Sequence, residues 1–246
     1  MKEKRKERFK LAADTLLDVL YPRRCPICQK ILEKKEGLVC GKCRERLPYI
    51  REPLCKKCGK PLNRQEQEYC PDCEKTEHEF LCGRSIFLYE KEFRRSVHRM
   101  KFQNRREYLD FYAEEMAGAG NMFLCQIQPG VLIPVPMHPR KRRERGFDQS
   151  RLLARKVGAL TGIPVEAGAL VRNRYTLPQK QLNARERRAN LRGAFSLREN
   201  VPVREPVLLI DDIYTTGATL DEACRTLKRA GITRIYFLAL CTGKGK

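Results

Sequence analysis

The sequence predicts a mixed α/β protein: a mostly parallel sheet with helices on both faces, preceded by a small cysteine-rich module. Three observations carry this. From about residue 81 onward, short apolar runs that read as strands alternate with amphipathic stretches that read as helices, the pattern of a sheet built by helical crossovers. Ahead of that region lie four C-x-x-C pairs, each beginning fifteen residues after the last. The segment VLLIDDIYTTGATL, residues 207–220, sets two adjacent carboxylates between an apolar run and a turn of Thr, Gly and Ala.

The first element is MKEKRKERFKLAADTLLDVL, whose basic start and apolar sequel resemble a signal peptide until Asp14 and Asp18 interrupt it and no small-residue cleavage site follows. It reads instead as an amphipathic helix over 1–21, with Phe9, Ala13, Leu16 and Leu20 on the face that packs on the rest of the protein. The cysteine module occupies 22–80, with pairs Cys25/Cys28, Cys40/Cys43, Cys55/Cys58 and Cys70/Cys73. Two thiolates separated by two residues grip one tetrahedral zinc and a second pair closes the site, so eight make two structural Zn2+ sites with no open position for catalysis. The segment is too small and polar to build its own core, and metal substitutes for burial. The spacing admits sequential wiring, the first pair with the second, and crossed wiring, the first with the third. Lys56, Lys57, Arg44 and Arg46 give these ribbons a basic surface. Cys82, Cys125, Cys224 and Cys241 read as small buried hydrophobes. A secreted chain of this size would show disulfides without such pairing, so the cysteines predict a cytoplasmic protein.

In the main domain, 81–246, strands are expected at 84–90, 131–136, 206–212 and 233–241. Helices are expected at 93–102, 106–119, 149–162 ending at Gly162, and 219–231 ending at Gly231. No run of about 18 apolar residues offers a membrane span. The 246 residues carry 51 Lys and Arg against 30 Asp and Glu, a net charge of +21, typical of proteins that meet polyanions. The excess is local: residues 137–198 hold sixteen basic and four acidic side chains, more than half of the total.

The 207–220 segment has a physical reading. After the strand 207–210, the backbone N–H groups of Thr215, Thr216, Gly217, Ala218 and Thr219 have no intrahelical partner and lie at the positive end of a helix. With Gly217 and Ala218 leaving room for close approach and Thr hydroxyls adding donors, this is a cradle for a phosphate. It lacks the Gly-Lys-[Ser/Thr] ending of a nucleotide P-loop and lacks G-x-G-x-x-G, which disfavours triphosphates and dinucleotides. Carboxylates repel phosphate, so Asp211 and Asp212, expected with exposed side chains at the strand's carboxyl end, must face something else. Vicinal hydroxyls fit, and the ligand implied is a ribose 5-phosphate.

Four apolar residues, two acidic residues and a Thr-Gly-x-Thr turn resemble the 5-phosphoribosyl-1-pyrophosphate (PRPP) signature of type I phosphoribosyltransferases. The resemblance implies a phosphoribosyltransferase-like sheet in which Asp211 and Asp212 hold the ribose hydroxyls, as the residues on which any catalysis rests. The turn holds the 5-phosphate, and Mg2+ rides on PRPP. A broader resemblance covers nearly the whole chain. The leading helix, the paired cysteines, VPMHPRKRRERGFDQSRLLAR (135–155), RNRYTLPQKQLNARERRANLRGAF (172–195) and the PRPP signature look like the ComF family of competence proteins. That family couples a double zinc ribbon to a phosphoribosyltransferase-like domain and serves DNA uptake. The resemblance implies single-stranded DNA as a partner and, beyond it, a competence helicase or other DNA-uptake proteins. It places Pro136, Met137 and His138 at the pyrophosphate loop, with Arg140, Arg142, Arg143 and Arg145 available to pyrophosphate or to a DNA backbone. It makes 172–190 a closing hood carrying Arg174, Gln179, Arg185 and Asn190. Phe147, Tyr175 and Phe195 lie among these cations and are candidates for base stacking.

The match has departures. Purine salvage enzymes of this fold carry Asp where this chain has Thr215, which cannot move a proton at neutral pH, and no glutamine-hydrolysing domain accompanies it. His138 is a candidate acid/base or a structural loop residue. Three functions follow: a PRPP-binding protein that handles incoming single-stranded DNA; an active transferase passing 5-phosphoribosyl from PRPP to an acceptor with release of pyrophosphate; and a PRPP sensor that recruits a partner through its ribbons.

Overall fold

The computed structural model describes residues 22–33, 35–175, 190–199 and 201–244; the helix expected over 1–21 lies outside them. The chain divides into two compact units, Met1–Leu47 and Pro48–Lys246.

The first unit holds one ribbon. Cys25 N–H donates to the Lys30 carbonyl at 2.8 Å and Gln29 N–H to Cys25 at 2.9 Å, forming a tight knuckle. Helix α1, Gly41–Arg44, begins just after Cys40, whose carbonyl accepts from Cys43 and Arg44 N–H at 3.0 Å each. Ile27, Leu32, Val39 and Leu47 are its buried apolar residues.

The second unit opens with the same construction thirty positions on, in which Cys55 N–H donates to Lys60 and Gly59 N–H to Cys55. Helix α2, Pro71–Lys75, starts after Cys70, which accepts from Cys73 and Glu74. The left-handed residue recurs too, Gln29 at φ 68° and Gly59 at φ 69°. The repeating object is thus a two-knuckle ribbon, and the fifteen-residue period in the sequence is half of it.

The rest of this unit is the expected parallel α/β sheet. Strand β1 (Gly83–Leu88) leads through helices α3 (Lys91–Phe102), α4 (Tyr108–Gly118) and α5 (Asn121–Ile127) to β2 (Val131–Pro134). Helices α6 (Pro139–Arg145) and α7 (Gln149–Thr161) follow, then the antiparallel pair β3 (Leu170–Arg172) and β4 (Phe195–Leu197). Strand β5 (Val207–Tyr214), helix α8 (Ala218–Arg229) and strand β6 (Ile235–Thr242) complete it. Strand order is β1-β6-β5-β2, all parallel. Alternate residues of β2 and β5, Val131, Ile133, Val207 and Leu209, share one core with Leu220, Ala223 and Leu227 of α8. Helices α4 and α7 pack on the strands outside that cluster.

One feature of the topology positions the site. Beyond α7 the chain returns at Val165, which bridges Leu132 on the side of β2 away from β5. Beyond α8 it returns as β6, on the side of β5 away from β2. The segments leaving β2 and β5 therefore diverge, opening the crevice in which such sheets receive ligands.

Candidate functional site

The pairing of β2 with β5 stops at Pro134 opposite Ile210, with one last bond from Val135 N–H to the Ile210 carbonyl at 2.9 Å. Strand β5 continues past the Asp pair, held by β6 alone: Asp211 opposite Ala239, Ile213 opposite Cys241, Tyr214 opposite Thr242. The strand expected to end at Asp212 runs on to Tyr214, so Asp211 and Asp212 lie within it, three and two residues short of its end, but beyond the end of β2. The long apolar run of β6 keeps the strand going.

Nor are both side chains exposed. Asp212 is 6% exposed and forms an ion pair with Lys101 of α3, itself half-buried. Asp211 is half-buried; its Oδ1 accepts from Ser150 Oγ at 3.1 Å and from Asp212 N–H at 2.8 Å. Burial, reinforced by the charge of Asp212, pushes the Asp211 carboxyl well above the usual range. Burial opposes ionisation of Asp212 as well, but Lys101 and, further off, Arg145 outweigh it and hold this carboxyl low. Asp212 is the ionised member, and Asp211 takes up the first proton.

Opposite the dyad runs the segment after β2. Met137 N–H donates to Asp148 Oδ2 at 3.1 Å, while Asp148 Oδ1 caps α7 by accepting from Arg151 N–H at 3.1 Å. His138 caps α6: its Nδ1 accepts from Arg140 N–H at 3.1 Å, with Pro139 at the first helical position. One ring nitrogen of the candidate acid/base is therefore committed to the helix start, and Pro136 is half-buried beside it.

After Tyr214 the chain bends through Thr215, Thr216 and Gly217, and α8 begins at Ala218 with no side chain of the described residues capping its first turn. Thr215 is exposed; Thr216 and Thr219 are half-buried. Gly217 has φ +80°, and a Cβ there would stand 2.7 Å from His78 Cε1, so only glycine fits.

The basic residues divide. Arg145 bonds Gln149 Oε1 at 2.8 Å and is half-buried, its charge reaching Asp212. Arg140, Arg142 and Arg143 are exposed, Arg140 also bonding Glu144 at 3.1 Å. Arg174 is exposed and donates to the Arg192 carbonyl at 3.3 Å; Asn190 is half-buried. Gln179 and Arg185 lie outside the described residues. Of the three aromatics, Phe147 and Phe195 are buried at 6% and 5%, which removes them as stacking surfaces, whereas Tyr175 is exposed. It carries Arg140 and Lys141 over its ring at 4.9 and 5.4 Å.

Sequence reasoning missed Lys101, Ser150 and Arg172, whose charge acts on Asp211. It also missed Phe102, 60% exposed at the end of α3, with the Arg145 guanidinium 5.0 Å over its ring and His98 4.8 Å away. Of the four unpaired cysteines, Cys224 and Cys241 are buried as expected; Cys82 is half-buried and Cys125 exposed.

Both cysteine quartets assemble with sequential wiring: Cys25, Cys28, Cys40 and Cys43, then Cys55, Cys58, Cys70 and Cys73, the four sulfurs of each within 4.8 Å of one another. The Cys28–Cys40 and Cys58–Cys70 separations are 3.7 and 3.6 Å. Tetrahedral zinc with Zn–S of about 2.3 Å needs sulfurs about 3.8 Å apart. The quartets fit structural zinc.

The ribbons and the chain as a whole resemble known proteins. Residues 16–74 match the double zinc ribbon domain family. Competence protein F of Haemophilus influenzae is 30% identical over 224 residues, 88% of this chain and 96% of that protein. The DNA utilization protein YhgH of Salmonella typhimurium is 30% identical over 222 residues, 82% of this chain and 96% of its own length. Competence protein ComFC of Bacillus subtilis is 28% identical over 209 residues, 81% of this chain and 82% of that protein. The chain belongs to the ComF family.

Proposed function

We propose that this protein binds PRPP with Mg2+ at the crevice between β2 and β5 and handles single-stranded DNA in the cytoplasm, in the service of DNA uptake. The observation that carries the PRPP reading is the order along β5. A carboxyl held low by Lys101 and one pushed up by burial stand beyond the end of β2, and a glycine-hinged turn leads into a helix start with no side-chain cap among the described residues. The carboxyls suit ribose hydroxyls, which can donate to them, and the α8 terminus suits the 5-phosphate. Met137, His138 and Arg145 border the position of the pyrophosphate. Mg2+ bound with PRPP would offset the charge of the diphosphate.

The DNA reading rests on two exposed rings, Phe102 and Tyr175, each overlain by cations of α6. Such rings stack bases of a single strand, and the neighbouring arginines track its backbone. The relatives' names, competence protein and DNA utilization protein, point the same way. Partners from the DNA-uptake machinery, a helicase among them, belong to this proposal.

A second reading, pentosyl transfer to an acceptor, draws on the same constellation, but Thr215 supplies no base. Pyrophosphate release in the presence of PRPP and single-stranded DNA separates the two. Fluorescence anisotropy with a labelled oligonucleotide tests the DNA contact: Phe102→Ala weakens binding by about 1–3 kcal/mol at every salt concentration. Unchanged affinity removes Phe102 from the interface.

A further inference from the structure

The turn between β5 and α8 stands on two side chains that belong to the surroundings of the second cysteine quartet. A Cβ at Gly217 would lie 3.2 Å from Tyr214 Oη and 2.7 Å from His78 Cε1, so the backbone of the turn rests on both without a gap. Tyr214 is 1% exposed, stacks on Phe237 at 4.8 Å and meets Phe80 edge-on. The same packed cluster contains Cys55, Cys58 and Cys70. The Tyr214 hydroxyl is buried and has no hydrogen-bond partner among the described residues, and Cys58 lies close enough to oppose its ionisation. Zinc-bound thiolates accept hydrogen bonds, and such donors orient the ligand set.

His78 reaches the turn by a second route, five positions after the ligand Cys73. Its side chain is fully buried and Nδ1 meets the Asp221 carboxylate at 3.0 and 3.2 Å. Asp221, in the first turn of α8, also accepts from Glu79 N–H at 3.0 Å. The ring stacks on Phe80 at 4.8 Å. One contact of the turn thus leads through Tyr214 to Cys58, and the other through His78 along the chain to Cys73.

We propose that the second cysteine quartet is the foundation of the β5–α8 turn, so that metal in this quartet fixes the turn's backbone, with Tyr214 and His78 as the positioning residues. If the turn takes the 5-phosphate, as proposed above, zinc and PRPP are then coupled ligands, and each raises the affinity of the other by the same factor. The ribbon is in this sense part of the ligand site, although no cysteine touches the ligand.

The test uses the full zinc-loaded chain. Amide hydrogen exchange over 215–219 is compared among wild type, Cys73→Ser, Tyr214→Phe and His78→Asn, the last keeping a donor for Asp221. Zinc affinity is measured by competition with a chelator, with and without saturating PRPP. Tyr214→Phe should keep its zinc and its overall fold, yet speed exchange at the turn about tenfold and weaken PRPP about as much, the loss of the hydrogen bond that a zinc-bound Cys58 thiolate would accept. His78→Asn should lie closer to wild type. PRPP should raise the zinc affinity of one of the two sites in wild type and not in Tyr214→Phe. Exchange at 215–219 that is the same in wild type and Tyr214→Phe overturns the inference, whether or not PRPP binds. A turn that responds to zinc in a protein that ignores PRPP sustains the coupling and removes the PRPP reading instead.

Discussion

Gly217→Ala and Gly231→Ala form a matched pair that weighs the support beneath the β5–α8 turn. Both glycines are left-handed, at φ +80° and +85°, so each substitution carries the cost of placing an L-residue there, about 1–2 kcal/mol. They differ in what the new methyl meets. At Gly231 no atom of the described residues lies within 4 Å, whereas at Gly217 it would overlap His78 Cε1 at 2.7 Å and Nδ1 at 2.9 Å. His78 cannot move aside cheaply, because its side chain is fully buried and bonded to Asp221. Displacing it leaves a buried polar group unsatisfied, a further cost of about 1–3 kcal/mol. At about 2–4 °C per kcal/mol for a unit of this size, Gly217→Ala should melt several degrees below Gly231→Ala in thermal denaturation followed by circular dichroism. Equal melting temperatures would refute the claim that the turn rests on His78.

Lys101→Met should destabilise the protein by about 3–5 kcal/mol in urea titrations, because it strands the buried Asp212 carboxylate without its counter-charge; a loss under 1 kcal/mol would contradict the ion pair. The raised pKa of Asp211 means that the native state binds this proton more tightly than the unfolded chain. Its stabilisation is present below about pH 4 and is lost as pH rises through the folded-state value. Asp211→Asn should therefore flatten the fall of stability above that range, and an unchanged slope would locate the perturbation elsewhere. Two zinc ions per chain are expected, lost to a chelator in two phases. The quartet with exposed Cys28 should empty first, and the one with Cys55, Cys58 and Cys70 at 0–1% exposure should follow slowly; a single phase would contradict this.

The alternation of apolar runs and amphipathic stretches was enough to place the four parallel strands and helices α3, α4, α7 and α8, because periodicity reports which face is buried; helices α5 and α6 and the β3–β4 pair are too short to carry that signal. Cysteine spacing announced two metal sites but left their wiring open, since pairing is decided by how each knuckle meets its short helix. The DD-x-x-TTGAT pattern marked β5 and its turn, yet nothing in it points to Lys101. That residue sits in RMKF on α3, more than a hundred positions from Asp212, and only the crossing of α3 over the sheet brings them together. Exposure of the dyad was misjudged for the same reason. Phe102 reads locally as the apolar end of a helix, and its exposure follows from where α3 stops. The thirty-residue repeat became visible only in hydrogen bonds, because Gln29 and Gly59 share a left-handed conformation without sharing a residue type.

The central claim is that the β2–β5 crevice takes PRPP. It is tested most directly by calorimetric titration of PRPP with Mg2+ into the zinc-loaded protein, beside ribose 5-phosphate. Saturable binding of PRPP, at least about tenfold tighter than the control, a difference of about 1.4 kcal/mol, and abolished in Asp211→Asn, is the predicted result. Absence of binding, or PRPP no tighter than ribose 5-phosphate, would contradict it.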